Sequence, residues 1–324
     1  MSGVRREQGR LREDRRLSIS FSDAQRITNL ALEAGFTRAG FVQGADRAFV
    51  LVCCMSCYRS ELDDLSTPDD PHGLIAPFAR RNYYKTAVRM MRRLTARLED
   101  ELGIARKSVR IFCNSRLPEK PLCVAAGLAW QGNNGLCITP GLGSLFVIAG
   151  AVFPACSDFS GSKPHPNLCG SCRRCMEACP TQAIVSPGIV DRGRCLQGFA
   201  AAADALSPEV MEKWGARLYG CQVCQSACPY NSGPLEEAPA ADGEIGPSVS
   251  LRWFLSLDGP RVQQLFRGTA MGLSWISKEA LLRNAIVAAG NRGVGALRAS
   301  VEPFTGSASR ALSTAARWAL ERMS

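Results

Sequence analysis

The apolar positions change period along the chain. Ala24 to Ala34, which Ser22 or Asp23 can cap, reads as a helix. Ala48 to Met55 is a run rich in Phe, Val and Cys with the character of a strand. Val88, Met91, Leu94, Leu98 and Leu102 then recur at helical spacing, so one face of that helix packs inward. Further strands are expected at Ser108 to Cys113 and Ser144 to Phe153, with a helical stretch over Pro121 to Trp130 between them. That stretch runs into a turn at Gly132-Asn133-Asn134-Gly135. Helices alternating with apolar strands predict a layered α/β sheet, of α/β (α+β) class, over residues 17–158. Residues 159–232 are rich in cysteine, and 233–250 are rich in Pro, Gly, Ala and acids, as a linker is. From Leu251 to residue 324 the pattern is helical, with Leu281, Leu282, Ala285, Ile286 and Ala289 on one face and a last amphipathic helix near Ala311 to Met323. Two helix pairs there would form a HEAT-like unit.

The longest apolar run, Leu145 to Phe153, is far short of the roughly 20 residues that span a bilayer, so no membrane association is expected. Residues 1–16 carry six arginines with no apolar stretch behind them, which reads as a disordered basic tail on a cytoplasmic protein. The net charge of +10 is unevenly placed. Ten basic residues lie between Arg80 and Arg110 against Glu99, Asp100 and Glu101, and the arginines are expected to point to solvent. Such a face is either merely solvated or attracts phosphate.

Fifteen cysteines without an export signal point to metal rather than to a disulfide framework. Cys169-Gly-Ser-Cys172-Arg-Arg-Cys175-Met-Glu-Ala-Cys179-Pro180 has the C-x2-C-x2-C-x3-C-P spacing of bacterial ferredoxins. In that pattern three thiolates wrap one cubane, and the fourth, set before proline, reaches to the other. Cys195 followed by Cys221-Gln-Val-Cys224-Gln-Ser-Ala-Cys228-Pro229 supplies the second set. The crossing rule pairs Cys169, Cys172, Cys175 and Cys228 around one [4Fe–4S] cluster, and Cys179, Cys195, Cys221 and Cys224 around the other. Structural zinc is the alternative, but zinc sites seldom repeat a C-x3-C-P ending. Cys53, Cys54, Cys57, Cys113, Cys123, Cys137 and Cys156 sit mostly in apolar runs and read as small buried hydrophobes, although the group at Cys53 to Cys57 ends a strand and has room for a ligand or reactive thiol. His72 and His165 read as surface loop residues. No G-x-G-x-x-G or P-loop pattern points to a nicotinamide, flavin or ATP site.

Four separated blocks, taken together, resemble the epoxyqueuosine reductase family, relatives of cobalamin-dependent reductive dehalogenases. They are Phe78-Ala79-Arg80-Arg81-Asn82-Tyr83-Tyr84-Lys85, Ala125 to Asn134, the eight ferredoxin cysteines, and Leu281-Leu282-Arg283-Asn284-Ala285 with Gly290-Asn291. The resemblance implies base-off cobalamin between the α/β domain and the ferredoxin insert, with Tyr83, Lys85, Gly132, Asn133 and Asn134 as its binding residues. It implies electrons relayed from an external donor such as flavodoxin or ferredoxin. It also implies a tRNA anticodon stem-loop, gripped by shape and phosphate, whose epoxyqueuosine is reduced to queuosine. Three features depart from the family pattern. Asn82-Tyr83-Tyr84 stands where Asp-Tyr-His is usual, Phe112-Cys113-Asn114-Ser115 places Asn114 at the family's proton-donating aspartate, and a substrate segment before Phe49 is short. Asparagine cannot deliver a proton as a carboxylic acid does, which leaves Tyr84 or water for that task at the catalytic position of Asn114. Two other functions fit the same cysteines: a divergent cobalamin-dependent reductase of a small molecule, and a non-catalytic electron carrier or cobalamin-binding protein.

Overall fold

The structure, a computed structural model, describes residues 21–43, 48–61, 63–155, 163–241 and 243–323. The basic tail, Cys156 and the first residues of the cysteine-rich segment lie outside them.

Helix α1 (Phe21–Glu33) leads into the hairpin β1 (Arg38–Gln43) and β2 (Ala48–Ser56), with β3 (His72–Ile75) further on. Then come α2 (Tyr83–Leu102), β4 (Arg110–Cys113), α3 (Glu119–Ala125), the short β5 (Trp130–Gln131) and β6 (Cys137–Ile138), and β7 (Phe146–Ala155). The central sheet has the order β1-β2-β7-β4, and every pairing in it is antiparallel. The layered sheet expected from the alternation is therefore of the α+β kind. A short β1-β2 connection can join only antiparallel neighbours, since a parallel return needs a dozen or more residues. At Gly150, in the middle of β7, a Cβ would stand 2.2 Å from the Leu51 carbonyl oxygen and 2.3 Å from the Phe112 ring, so the three central strands close up only around glycine.

Helices α1 and α2 cover one face of this sheet. Ala24, Ile27, Leu30 and Ala31 of α1, and Met91, Leu94 and Leu98 of α2, are buried against Leu51, Cys53 and Phe153. Asn82 caps α2 by accepting from the Lys85 N–H at 3.0 Å, and Gly103 ends it in the left-handed region at φ 67°. On the opposite face Val50, Val52, Cys54 and Phe112 pack with Cys123 and Ala126 from α3 and its C-terminal end. The basic segment does not expose all its arginines. Arg80 and Arg81, just before α2, are 2% and 8% exposed and pair with Glu61, Asp63 and Glu244. Arg97 pairs with Glu33 and Glu101, and Arg106 with Glu99, so the free positive field is weaker than the formal count.

The cysteine-rich part contributes α4 (Arg174–Ala178), the hairpin β8 (Ile184–Ser186) and β9 (Ile189–Val190), α5 (Leu196–Phe199), α6 (Pro208–Trp214), β10 (Arg217–Tyr219) and α7 (Val223–Ser226). The described residues of 233–247 form no helix or strand, yet they are pinned to the α/β unit. Glu236 N–H donates to Gly141 O, Ala238 N–H to Tyr58 O and Ile245 N–H to Arg80 O, and Ala238 is buried. The chain then forms β11 (Ser248–Ser250) and the helices α8 (Leu251–Leu255), α9 (Gly259–Phe266), α10 (Lys278–Arg292), α11 (Arg298–Val301) and α12 (Arg310–Glu321). A second sheet, β10-β3-β11, joins the three regions, and a single core runs from Leu196 and Trp214 through Leu218 to Ile286 and Trp318. His72 lies at the start of β3, half-buried, with its ring held by Ser248 at 2.9 Å and Asp70 at 3.1 Å, rather than in a loop. Among the described residues no helix is long and apolar enough to cross a membrane.

Candidate iron–sulfur and reductase site

The cysteine segment winds into short turns because its thiols are only two or three residues apart. Cys172 N–H donates to Cys169 O at 3.0 Å, Cys228 N–H to Gln225 O at 3.0 Å, and Asn231 N–H to Cys228 O at 2.9 Å. Cys179 ends α4 and Cys228 precedes Pro229, so both proline-flanked cysteines leave the turn in extended backbone, at ψ 115° and ψ 124°. Cys195 occupies the residue before α5. The outcome is two separate groups of four. Cys169, Cys172, Cys175 and Cys228 surround a cavity of about 220 Å³. Cys179, Cys195, Cys221 and Cys224 stand together on the wall of a much larger one, of about 830 Å³. Burial pushes the Cys175 thiol up, and its neighbours Cys169, Cys228 and Cys172 add to the shift.

The turn at Gly132-Asn134 couples the α/β unit to the small cavity. Asn133 and Asn134 line it, and the Asn133 amide donates to Cys172 O at 2.8 Å while Gly188 N–H donates to Asn133 O at 2.9 Å. Gly132 touches neither cavity. A Cβ there would come within 2.3 Å of Ile138, so the tight β5-β6 turn needs glycine for packing. Trp130 Nε1 donates to Cys169 Sγ at 3.4 Å, and the His165 ring lies 5.1 Å from the indole. The amide nitrogen of Asn134 is buried without a hydrogen-bond partner, and Asn134 borders both cavities.

Cys57, Phe78, Tyr84, Asn114, Glu119 and Lys120 also line the large cavity. Only one of the two adjacent tyrosines faces it. Tyr83 is 1% exposed in the core under the sheet, and Lys85 is exposed on α2 outside the lining of either cavity. Successive residues of an α-helix point about 100° apart, so a three-residue block at the start of α2 can offer one side chain to the cavity, and it is Tyr84. Burial raises the Tyr84 phenol well above its ordinary value, with nearby Cys113, Cys57, Tyr219 and Glu119 adding to the shift. Burial likewise pushes Cys57, at the end of β2, up to about 12. Cys53 and Cys54 are wholly buried, and Cys54 Sγ lies 3.7 Å from Cys123 Sγ.

Asn114 directly follows β4 with φ 50°, a left-handed conformation that asparagine tolerates better than most residues. It lines the cavity, as does Trp275 from the C-terminal helical part, 54% exposed. Two cavity residues carry no motif in the sequence. Glu119 is separated from Asn114 by a loop with no periodicity, and Trp275 lies in a connection between helices, so only the folded chain brings them to the site.

Comparison with known proteins places this geometry. Residues 168–231 match the 4Fe-4S double cluster binding domain. The epoxyqueuosine reductase of Bacillus subtilis is 30% identical over 250 residues, covering 75% of this chain and 63% of the relative, so the chain spans less than two thirds of that protein. The epoxyqueuosine reductase of Synechocystis is 31% identical over 225 residues, covering 67% of this chain and 75% of the relative. A solved epoxyqueuosine reductase holding an epoxyqueuosine-modified tRNA-Tyr stem loop superposes with a TM-score of 0.80 at 22% identity, over 92% of this chain and 89% of that one. With its double-cluster segment and these relatives, the chain belongs to the epoxyqueuosine reductase family of oxidoreductases.

Proposed function

We propose that the protein reduces epoxyqueuosine to queuosine in tRNA, using two [4Fe–4S] clusters and cobalamin. The observation that carries this reading is the placement of the second cysteine quartet on the wall of a cavity of about 830 Å³ that faces Tyr84 and Asn114. Electrons held at that quartet have direct access to a bound ligand. The first quartet, around the smaller cavity, is the entry point from an external donor such as flavodoxin or ferredoxin.

The residues fit the absent groups. Eight thiols in two quartets match the ligand set of two cubanes. The large cavity lies within the range of about 300–1,000 Å³ typical of cofactor and ligand sites. The partnerless Asn134 amide offers a donor where the two cavities meet, and Asn134 is the residue of the Gly132-Asn134 turn we expect to contact cobalamin. Bound cobalamin would supply a strongly reducing cobalt centre. Tyr83 and Lys85 would act through the start of α2, setting the orientation of Tyr84, rather than by contact. Asn114 would hold the substrate oxygen by hydrogen bonding, and Trp275 would meet the modified base at the mouth. The helices from α8 onward, read as a HEAT-like unit, and the exposed Arg92 and Arg93 of α2 would grip the anticodon stem-loop in the cytoplasm.

Anaerobic reconstitution with iron, sulfide and cobalamin, then reduction in the presence of tRNA carrying epoxyqueuosine, tests the proposal by nucleoside analysis. Queuosine is expected in proportion to cluster loading. A fully loaded protein that binds cobalamin but leaves epoxyqueuosine untouched would favour a small-molecule substrate. Failure to bind cobalamin would favour a plain electron carrier.

A further inference from the structure

Removing an epoxide oxygen to leave an alkene consumes two electrons and two protons and releases the oxygen as water. Asn114 cannot supply either proton. The cavity nevertheless contains a carboxylic acid. Glu119 is the only carboxyl among the described residues that line it, and it opens α3 a few residues beyond Asn114. The connecting loop folds back on it: Ser115 N–H donates to Glu119 Oε1 at 2.6 Å, so the side chain is anchored to the residue next to Asn114 through one oxygen. After burial, Glu119 is among the neighbours that raise the Tyr84 phenol, and it is the neighbour that raises the Cys113 thiol. The carboxyl therefore shares a neighbourhood with the cavity tyrosine. The cations lining the cavity are Lys120, whose Nζ is held by Gly135 O at 3.0 Å, and Arg192.

Building on the reaction proposed above, we infer that Glu119 is the acid that protonates the departing epoxide oxygen, with Asn114 holding that oxygen by its amide. The Glu119 O–H bond breaks as the first C–O bond of the epoxide opens and the oxygen takes that proton. A second proton, from solvent, reaches the same oxygen as the second C–O bond breaks, so that water leaves and the C=C bond forms. The two electrons come from the reduced cofactors, and the carboxylate is reprotonated from solvent. Asn114 follows β4 and Glu119 opens α3, and the bond from Ser115 holds the Glu119 carboxyl beside the residue that follows Asn114.

Wild type, Glu119→Gln, Glu119→Asp and the double variant Glu119→Gln with Asn114→Asp would be compared with clusters and cobalamin loaded. Two quantities would be measured: the single-turnover rate, and the equilibrium affinity for an epoxyqueuosine stem-loop. Glu119→Gln keeps an acceptor for Ser115 and should slow turnover by about 10²–10⁴-fold. It should leave stem-loop affinity unchanged. Glu119→Asp should retain part of the rate, and adding Asn114→Asp to Glu119→Gln should restore it. A Glu119→Gln variant with wild-type turnover overturns the role of Glu119 alone, as does a rate loss matched by an equal loss of stem-loop affinity. A loaded wild-type protein that makes no queuosine overturns the reaction, and this role with it.

Discussion

Replacing Arg283 by methionine would test how the C-terminal helices support the second cysteine quartet. The Arg283 side chain is fully buried in α10, where the nearby carboxylates of Asp204 and Glu279 only partly offset the cost of burying its charge. Its guanidinium donates instead to Phe199 O at 2.7 Å and to Ala202 O and Asp204 O at 2.6 Å each, with Asn284 Oδ1 at 2.7 Å. Those carbonyls belong to the end of α5 and the loop after it, the segment that leaves Cys195. Two terms oppose each other. Burial pulls the Arg283 pKa down to about 10, so the charge itself is disfavoured by about 3 kcal/mol at roughly 1.4 kcal/mol per unit. Methionine relieves that cost and keeps the apolar stem, but it strands three carbonyls at about 2 kcal/mol each. The carbonyl term is the larger, leaving a net loss of about 3 kcal/mol. Taking a slope of about 3 kcal/mol per M for a chain of this size, the urea midpoint should fall by about 1 M. The assay is unfolding of the cluster-loaded protein under anaerobic conditions, with iron content measured alongside, and iron should be lost first from the quartet containing Cys195. An unchanged midpoint, or a stabilised variant, would refute the reasoning by showing that water or a shifted backbone satisfies those carbonyls.

Three further outcomes are expected. Trp275→Ala should weaken the affinity for an epoxyqueuosine stem-loop by about 1–3 kcal/mol, as loss of one base–aromatic stack does, and by less for the same stem-loop with an unmodified wobble base; fluorescence anisotropy separates the two. Cys57 lines the large cavity, yet its thiol is pushed up to about 12 by burial, so only about one molecule in ten thousand is thiolate at pH 8. It should escape alkylation by iodoacetamide at that pH and react only as the pH approaches 12, and rapid modification at pH 8, mapped by mass spectrometry, would show the cavity to be wetter than its lining implies. Cys172→Ala should roughly halve the iron bound, from about eight to about four per chain, and leave the EPR signal of the other cluster in place.

The double-cluster segment is legible in the sequence because the spacing constrains the geometry: thiols with two or three residues between them, ending at proline, can turn only tightly. The long helix α2 is legible for a similar reason, since its buried positions repeat with the helical period and Asn82 and Gly103 mark its ends. Properties set by distant partners are not legible. Arg80 and Arg81 read as solvent-facing charges because Glu61, Asp63 and Glu244, which pair with them, lie elsewhere in the chain. The block Tyr83-Tyr84-Lys85 reads as a unit, but helical geometry sends its side chains to core, cavity and solvent in turn. Residues 233–247 look like a free linker because their attachments, backbone bonds together with the Arg81–Glu244 and Arg38–Glu236 pairs, join them to residues far away in the chain. Glu119 escapes because its link to the Asn114 loop is a backbone N–H from Ser115, which composition does not record.

Diffraction from crystals of the anaerobically reconstituted protein, collected at the iron absorption edge, tests most directly that the two quartets carry two clusters and that one of them serves the large cavity. The account predicts two iron peaks, one enclosed by Cys169, Cys172, Cys175 and Cys228 and the other by Cys179, Cys195, Cys221 and Cys224 at the cavity that Tyr84 and Glu119 also line. A single peak, a zinc signal in either quartet, or a cluster held by a different set of cysteines would contradict it.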